Sequence, residues 1–367
     1  MQSYRLKSGV TFWRTTSGQL HIGTRFRNYQ LPNLIAGQDL EPLLVELRFG
    51  IEPRIDFVKY GPALSMLTNL SLIDSKNTQN PLLQNVQKSK SKNLNPLVDT
   101  ARENLQARFE IEMAGISKRS NIQDGGTETL LRRQEMKITI VGEGNFEFSR
   151  VAIAVYTNLL ASGFSKCEFR NSSASSRGEY RVGIEDLIGG YFRLGDVGLS
   201  KYEVLRRASG EISLFPQKSV GAKREEQELI ISIGPPHPHI QLESSNQMIP
   251  MLVIDFVSGD ELRIGPFILP GKNLCYSCIL LGEKDSGSLT KIESAYFRSD
   301  FSELSAALAI TGAGYISLAV AEFADTGASP LAGKTINIST ENYLAPGIQS
   351  WQRHPNCTCN WALAEGR

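Results

Sequence analysis

The order of hydrophobic and polar positions divides the chain into three regions with different predicted secondary structure. In the first region, short β-rich segments are followed by segments with apolar residues at helical spacing. The predicted strands are residues 10–14, 20–23 and 28–31, and the predicted helices are residues 39–49, 55–60 and 63–72. Three small strands followed by three helices are typical of a winged helix-turn-helix module, which we assign to residues 1–75.

The middle region, residues 76–135, is polar and is predicted to be a linker that contains one helix, at residues 96–113. From residue 136 onward, buried-type strands alternate with apolar-periodic helices, which predicts a doubly wound, mostly parallel α/β sheet. These strands are predicted at residues 136–141, 166–170, 228–233 and 251–256. The second domain therefore covers residues 136–367.

Charge and composition exclude several classes of protein. Lysine and arginine total 39 residues and aspartate and glutamate total 38, so the chain lacks the basic excess of a general nucleic-acid binder. The first ten residues contain no apolar run of the signal-peptide type, which predicts a cytoplasmic protein. Residues 304–321 are uncharged and about as long as the shortest membrane-spanning helices. Their glycines and serines, and the flanking Glu303 and Glu322, favour a buried helix, so no membrane association is expected.

Four of the five cysteines form two close pairs, Cys275 with Cys278 in a CxxC motif and Cys357 with Cys359 in a CxC motif. Each pair offers two sulfurs from one tight turn, and two turns complete the tetrahedral shell of zinc. The cysteines therefore predict one structural zinc site that ties a C-terminal tail to a distant hairpin. Two unrelated pairs of buried cysteines are the alternative interpretation.

A redox role for the CxxC motif is disfavoured, because a redox dithiol of the thioredoxin type should begin a helix. Here Gly265-Pro266 and Pro270-Gly271 precede the motif and indicate a turn and a loop. His354 could replace a sulfur as ligand, but we expect it to pack or form hydrogen bonds beside the site.

A second, weaker signal is Gly142-Glu143-Gly144, which follows a predicted strand and precedes a predicted helix. A nucleotide phosphate would sit at such a turn. However, Glu147 occupies the position of the third glycine, Phe146 adds bulk, and Glu143 and Glu147 would both face an anionic ligand. A strand-to-helix turn with no remaining ligand is therefore favoured.

His237 and His239 lie in the sequence GPPHPH after another predicted strand. A catalytic or metal-binding pair is one interpretation of these two residues. A proline-stiffened surface loop is favoured, because no cysteine or glutamate lies within local ligand spacing.

Four groups of motifs are similar to those of one family. They are residues 264–267 with Pro270-Gly271 and the CYSC of residues 275–278; WQRHPNCTC at 351–359; EDL, GGY and DVGLSK at 185–187, 189–191 and 196–201; and YRL with LHIG at 4–6 and 20–23. The chain resembles the ubiquitin-activating-type (ThiF/MoeB-like) family, in the ocin-ThiF-like branch of partner proteins of YcaO cyclodehydratases. The resemblance implies an N-terminal element related to PqqD that recognises a precursor peptide.

The chain also departs from the catalytic members of that family at the nucleotide site. The loop reads GEGNFE, the second strand ends in Arg170-Asn171-Ser172 without an acid, and the fourth-strand loop GPPHPH lacks an aspartate. We therefore expect a degenerate nucleotide site and no ATP binding in this chain. The residues of this degenerate site are Gly142, Gly144, Asn145 and Lys201.

The resemblance implies a non-catalytic protein that holds the leader of a precursor peptide as an added strand. The peptide would then be presented to a YcaO cyclodehydratase for thiazoline or oxazoline formation. The predicted leader-binding residues are Asn28, Tyr29, Gln30, Leu31, Leu64, Leu67 and Thr68. The resemblance also implies a homodimer.

Two other functions were weighed. The first is an ATP-dependent adenylating enzyme that acts on a peptide carboxylate, as in microcin-type relatives. The second is a winged-helix DNA binder, which we rank last because residues 63–72 contain no arginine or lysine for phosphates or base edges.

Overall fold

The computed structural model describes residues 2–7, 9–23, 28–35, 37–49, 57–77, 111–116, 126–142, 146–171, 180–187, 191–212, 227–258, 260–286 and 303–360. The chain divides into two compact units, Met1–Leu131 and Arg132–Arg367. Most of the helix predicted at residues 96–113 lies outside the described residues, although residues 111–116 are helical.

Among its described residues up to position 77, the N-terminal unit contains small antiparallel sheets and two helices. Strand β1 (Gln2–Leu6) pairs with β7 (Ile73–Asn77), while β2 (Thr11–Arg14), β3 (Leu20–Gly23) and β4 (Asn28–Leu31) form a sheet in that order. Two-residue strands β5 (Leu34–Ile35) and β6 (Gln38–Asp39) also pair. The helices are α1 (Glu41–Phe49) and α2 (Phe57–Asn69). The fully buried core residues include Leu20, Ile22, Leu40, Leu43, Leu44, Leu47 and Leu67.

The three strands at residues 10–31 are confirmed, but the helices differ from the prediction. The helices predicted separately at residues 55–60 and 63–72 are one helix, α2, with Pro62 inside it. Burial of Ala63, Leu64 and Leu67 on this helix offsets the free-energy cost of the backbone hydrogen bond that the proline removes. The winged-helix assignment remains a prediction, because the described residues up to position 77 hold two helices and not three.

The C-terminal unit is built on one seven-stranded mixed sheet. The strands are β8 (Lys137–Gly142), β9 (Lys166–Asn171), β10 (Glu228–Ile233), β11 (Met251–Ser258), β12 (Glu261–Ile268), β13 (Lys334–Ser339) and β14 (Gly347–Ser350). Their order is β14-β13-β12-β11-β10-β8-β9. The four strands from β9 to β11 are parallel, as predicted, and β12, β13 and β14 extend the sheet in antiparallel fashion.

Helices cover both faces of this sheet. They are α4 (Arg150–Ala161), α5 (Lys201–Ile212), α6 (Pro238–Asn246), α7 (Tyr276–Asp285) and α8 (Ala306–Thr326), and a further helix, α3 (Thr127–Glu135), precedes β8 along the chain. Neighbouring strand residues point to opposite faces: Ile140 joins a core formed with α4, α5 and α8, and Val141 joins a core formed with α6 and α7. Both layers expected of an α/β domain are therefore present.

Helix α8 is long and apolar enough, by length and composition, to cross a membrane. It packs against α4 and β12, and Gly312 lies so close to Leu262 that a Cβ there would be 2.1 Å from the leucine Cδ2. At its C-terminal end, the buried Asp325 accepts two 2.7 Å hydrogen bonds from the guanidinium of Arg133. These contacts fit the predicted buried helix.

Candidate metal centre and candidate binding sites

The four predicted cysteines lie together in the C-terminal unit, and the secondary structure around them differs from the prediction. Cys275 is the N-cap of α7 and Cys278 lies in its first turn, so the CxxC motif does begin a helix. The turn and loop signalled by Pro270-Gly271 end before Cys275, which is why the sequence pattern was misleading. The tail therefore docks on a helix N-terminus and not on a hairpin.

The sulfur positions suit a tetrahedral metal ion. The Sγ–Sγ distances are 3.8 Å for Cys275 and Cys278, 3.5 Å for Cys275 and Cys357, and 3.4 Å for Cys278 and Cys359. All four sulfurs lie within 4.8 Å of one another. Zinc–sulfur bonds of ~2.3 Å place tetrahedral sulfurs about 3.8 Å apart. The four cysteines could thus hold a metal ion such as zinc.

The residues before the second cysteine pair hold the tail against the helix by separate contacts. His354 Nε2 lies 2.8 Å from an Asp285 carboxylate oxygen at the end of α7, beside the cysteine cluster. The Arg353 guanidinium donates to the carbonyls of Asn273 and Gly271, at 2.8 and 3.0 Å. The indole N–H of Trp351 donates to the Thr335 hydroxyl at 3.1 Å. His354 is therefore placed as expected, bonded beside the cysteines.

The predicted nucleotide site lies where β8 and β10 end, which is the point at which ligands bind in open α/β sheets. Gly142 is the last residue of β8, whereas Gly144 and Asn145 lie outside the described residues. The Phe146 ring packs against Gly234, just after β10, so closely that a Cβ on that glycine would be 2.9 Å from the ring. On its other side, the Phe146 ring lies 5.2 Å from Phe256. An aromatic ring thus occupies space at the end of β10.

Two carboxylates near this edge have protein partners. Glu147, which would face an anionic ligand bound at this turn, is 1 % exposed and accepts a 3.0 Å hydrogen bond from the Tyr202 hydroxyl. Burial raises the pKa of Glu147, and the Tyr202 hydrogen bond opposes that shift. Lys201, the first residue of α5, pairs with Asp186 at 2.8 Å, and Asp186 also accepts from the Gly183 amide.

Arg170 stands near the end of β9, where catalytic members of the resembled family are expected to have an acid. Its guanidinium makes a two-pronged ion pair with Glu243 of α6, at 2.7 and 2.8 Å. This pair joins β9 to the helix that covers the same face of the sheet. Neither Glu243 nor Asp186 was assigned a role from the sequence, because each partner is distant along the chain.

The predicted leader-binding residues separate into exposed and buried groups in the N-terminal unit. Asn28 and Gln30 on β4 are exposed, and Tyr29 and Thr68 are half-buried. Leu31, Leu64 and Leu67 are at most 4 % exposed and belong to the core of the unit. The polar side chains of β4 are therefore accessible to a peptide added beside that strand, whereas the three leucines belong to the core.

Comparisons with known proteins were informative only at the level of structure. No protein-family model and no curated protein sequence matches the chain. Solved structures of E. coli MccB do match: the one with MccA-N7isoASN has a TM-score of 0.58 and 17 % identity over 98 % of this chain and 99 % of that one. The MccB structure with ATP has a TM-score of 0.57 and 16 % identity, covering 98 % and 100 %.

A third match is PaaA, with a TM-score of 0.59, 15 % identity, and coverage of 94 % of this chain and all of that one. MccB is described as a microcin C7 biosynthetic enzyme and has also been solved with N-formylated MccA. At these identities the likeness concerns the fold, which is a mixed α/β fold consistent with the ThiF-like class.

Proposed function

We propose that this chain binds a ribosomally made precursor peptide. The observation that carries the proposal is the likeness, over 98 % of the chain, to MccB solved with its precursor peptide MccA. Strand β4 is an edge strand of its sheet among the described residues, and Asn28 and Gln30 are exposed on it. An edge strand offers unpaired backbone groups to an extended peptide, which is the usual basis of strand addition.

A second candidate is ATP-dependent adenylation of a carboxylate on that peptide. The comparisons support it more than they support a YcaO partnership, since MccB has been solved with ATP and with MccA. Lys201 at the start of α5 is the described residue that such an enzyme would place near phosphates. Its ion pair with Asp186 holds the ammonium group at a fixed position.

Three local features favour the non-catalytic alternative. The Phe146 ring packs on Gly234 at the end of β10, Arg170 is paired with Glu243, and the sequence GPPHPH that follows β10 contains no aspartate. In that alternative, the chain presents its peptide to a separate YcaO cyclodehydratase, with zinc held by the four cysteines and a second copy of the chain as partner. Tethering the peptide to the complex would raise its effective concentration at that enzyme.

The test is a fluorescence-polarisation titration with a labelled leader from a short precursor gene that neighbours this one, against a scrambled leader. Two matched variants locate the site: Asn28→Pro at the first residue of β4 and Thr11→Pro at the first residue of β2, the opposite edge. Proline is tolerated at the first residue of a strand but blocks further pairing there. We expect at least tenfold weaker binding for Asn28→Pro and little change for Thr11→Pro.

ATP–pyrophosphate exchange in the presence of the same precursor separates the two candidates. Exchange above the no-enzyme rate, lost in Lys201→Ala, supports the adenylating enzyme. Tight leader binding without exchange supports the presenting protein. Failure to bind any neighbouring precursor would show that the proposal is wrong in both forms.

A further inference from the structure

One face of α7 carries both a candidate metal ligand and the residue that ends the helix. Cys278 and Asp285 are seven residues apart, close to two turns of about 3.6 residues, so they lie on the same face. Gly282 lies between them on that face, and a Cβ there would be 3.7 Å from the Trp351 ring. The segment before the second cysteine pair therefore runs along this face of α7.

His354, in that segment, bonds through both its ring and its backbone. Its Nε2 lies 2.8 Å from an Asp285 carboxylate oxygen, and its Nδ1 accepts a 3.2 Å hydrogen bond from the Asn356 amide. Its carbonyl accepts from the Cys357 amide at 3.0 Å, and its own amide is hydrogen-bonded to the Cys278 sulfur. One residue thus contacts both cysteine pairs and the end of α7.

These bonds decide what the His354 ring can do. Since Nδ1 accepts from a backbone N–H, Nε2 is the nitrogen that donates to Asp285. With both nitrogens bonded, the ring is a partner of the metal centre and not one of its ligands. The ring is 10 % exposed, whereas the Asp285 side chain is 68 % exposed. Asp285 can therefore be changed without disturbing a core.

We propose that His354 is a positioning residue of the four-cysteine centre, and that its bond to Asp285 controls how fast a bound metal ion is released. Two of the four sulfurs belong to the tail, so release requires the tail to move away from α7. That movement breaks the bond between His354 and Asp285 and withdraws the His354 amide from Cys278. Loss of a partner outside the ligand shell typically weakens metal binding roughly 10- to 100-fold.

The other contacts of the tail do not have this geometry. The Arg353 guanidinium bonds to carbonyls that precede α7, and the Trp351 indole bonds to Thr335 on β13. Neither of these hydrogen bonds involves a cysteine sulfur or the end of α7. His354 is therefore the tail residue that couples a surface carboxylate to the sulfur shell. This coupling does not depend on the proposed peptide binding.

The test uses the zinc-loaded full-length chain and measures the rate of zinc transfer to a chromogenic chelator. Asp285→Ala and His354→Asn should each speed transfer at least tenfold, because an asparagine side chain is too short to reach Asp285. His354→Gln should restore most of the wild-type rate, since its longer amide can donate to Asp285. Glu322→Gln, which changes an exposed carboxylate on α8, is the control and should leave the rate unchanged.

Two further measurements separate positioning from general destabilisation. In the cobalt-loaded chain, the sulfur-to-cobalt charge-transfer band should shift in Asp285→Ala and His354→Asn and stay in place in Glu322→Gln. The double variant Asp285→Ala/His354→Asn should release zinc no faster than either single variant, because both remove one bond. Asp285 is exposed, so its variant keeps the test decisive even if His354→Asn does not fold.

Several results would overturn the proposal. They are a wild-type chain that holds no zinc, an unchanged release rate or an unchanged cobalt band in Asp285→Ala, and effects of the two substitutions that multiply in the double variant.

Discussion

Glu147 is a carboxylate buried in the turn between β8 and α4, where a nucleotide-binding loop would require glycine. Its carboxylate accepts a hydrogen bond from the Tyr202 hydroxyl, and burial raises its pKa above the ordinary value of 4.5. In the interval between 4.5 and the raised value, the folded protein holds a proton that the unfolded chain has released. Stability therefore falls as pH rises through that interval, and the cost persists at higher pH.

Glu147→Gln removes this titration and keeps the shape of the side chain. As pH rises above 4.5, we expect the free energy of unfolding of the variant to increase relative to that of the wild type. The increase is ~1.4 kcal/mol for each pH unit by which the pKa of Glu147 in the folded protein exceeds 4.5. Denaturant unfolding from pH 4 to pH 8 measures the difference. Glu168→Gln on the exposed side of β9 is the control, and a constant difference between Glu147→Gln and the wild type at all pH values would contradict the assignment.

Helix α8 contains a matched pair of glycines that tests how it packs. A Cβ at Gly312 would be 2.1 Å from Leu262 Cδ2, whereas nothing lies within 4 Å of a Cβ at Gly314. Gly312→Ala should destabilise the unit by ~1–3 kcal/mol through overpacking. Gly314→Ala should stabilise it by up to ~1 kcal/mol through helix propensity. Thermal unfolding of both variants gives the comparison, and similar shifts in the two would show that Gly312 is not at a tight contact.

The sequence predicted the parallel half of the sheet well, because β8, β10 and β11 carry apolar runs bounded by polar segments and β9 alternates apolar with polar residues. The antiparallel half was missed for local reasons. Gly265-Pro266 reads as a turn but lies inside β12, where a Cβ at Gly265 would be 2.4 Å from the Lys334 carbonyl. All four residues of β14 are exposed, so this edge strand carries no hydrophobic alternation.

The residues of the candidate sites also divide into those that the local sequence predicts and those that it does not. The cysteine cluster was predictable because CxxC and CxC are spacings typical of metal ligands. In the structure, all four sulfurs lie together. The partners of Lys201, Arg170 and Glu147 were not predictable, because the fold alone brings Asp186, Glu243 and Tyr202 to them. Helix α6 begins at Pro238, where the sequence predicts a surface loop, since its prolines mark both a turn and a helix start.

At the scale of the whole molecule, the cysteine centre closes a loop of about 80 residues, since Cys275 and Cys357 are 82 positions apart. A crosslink over such a loop is worth ~4.5 kcal/mol by the chain-entropy relation for covalent bridges. Cys278→Ser should abolish bound zinc and lower the free energy of unfolding by a similar amount. Removal of zinc from the wild type by a chelator should have the same effect.

Cys167→Ala is the control for that variant, because Cys167 is a buried cysteine on β9 outside the cluster. It should keep one zinc ion per chain, measured by elemental analysis. If Cys278→Ser also retained one zinc ion, the four cysteines would not be the metal site.

The spacing of the two cysteine pairs also determines when a metal ion held by all four cysteines could act during synthesis. Ribosomes add ~5–20 residues per second, so the second pair follows the first by roughly 4–16 seconds. In that interval α8, a helix with an uncharged and apolar N-terminal half, is made while nothing yet ties its flanking segments together. Zinc supply would accordingly limit how much nascent chain reaches the folded state and how much is lost to chaperones and proteases.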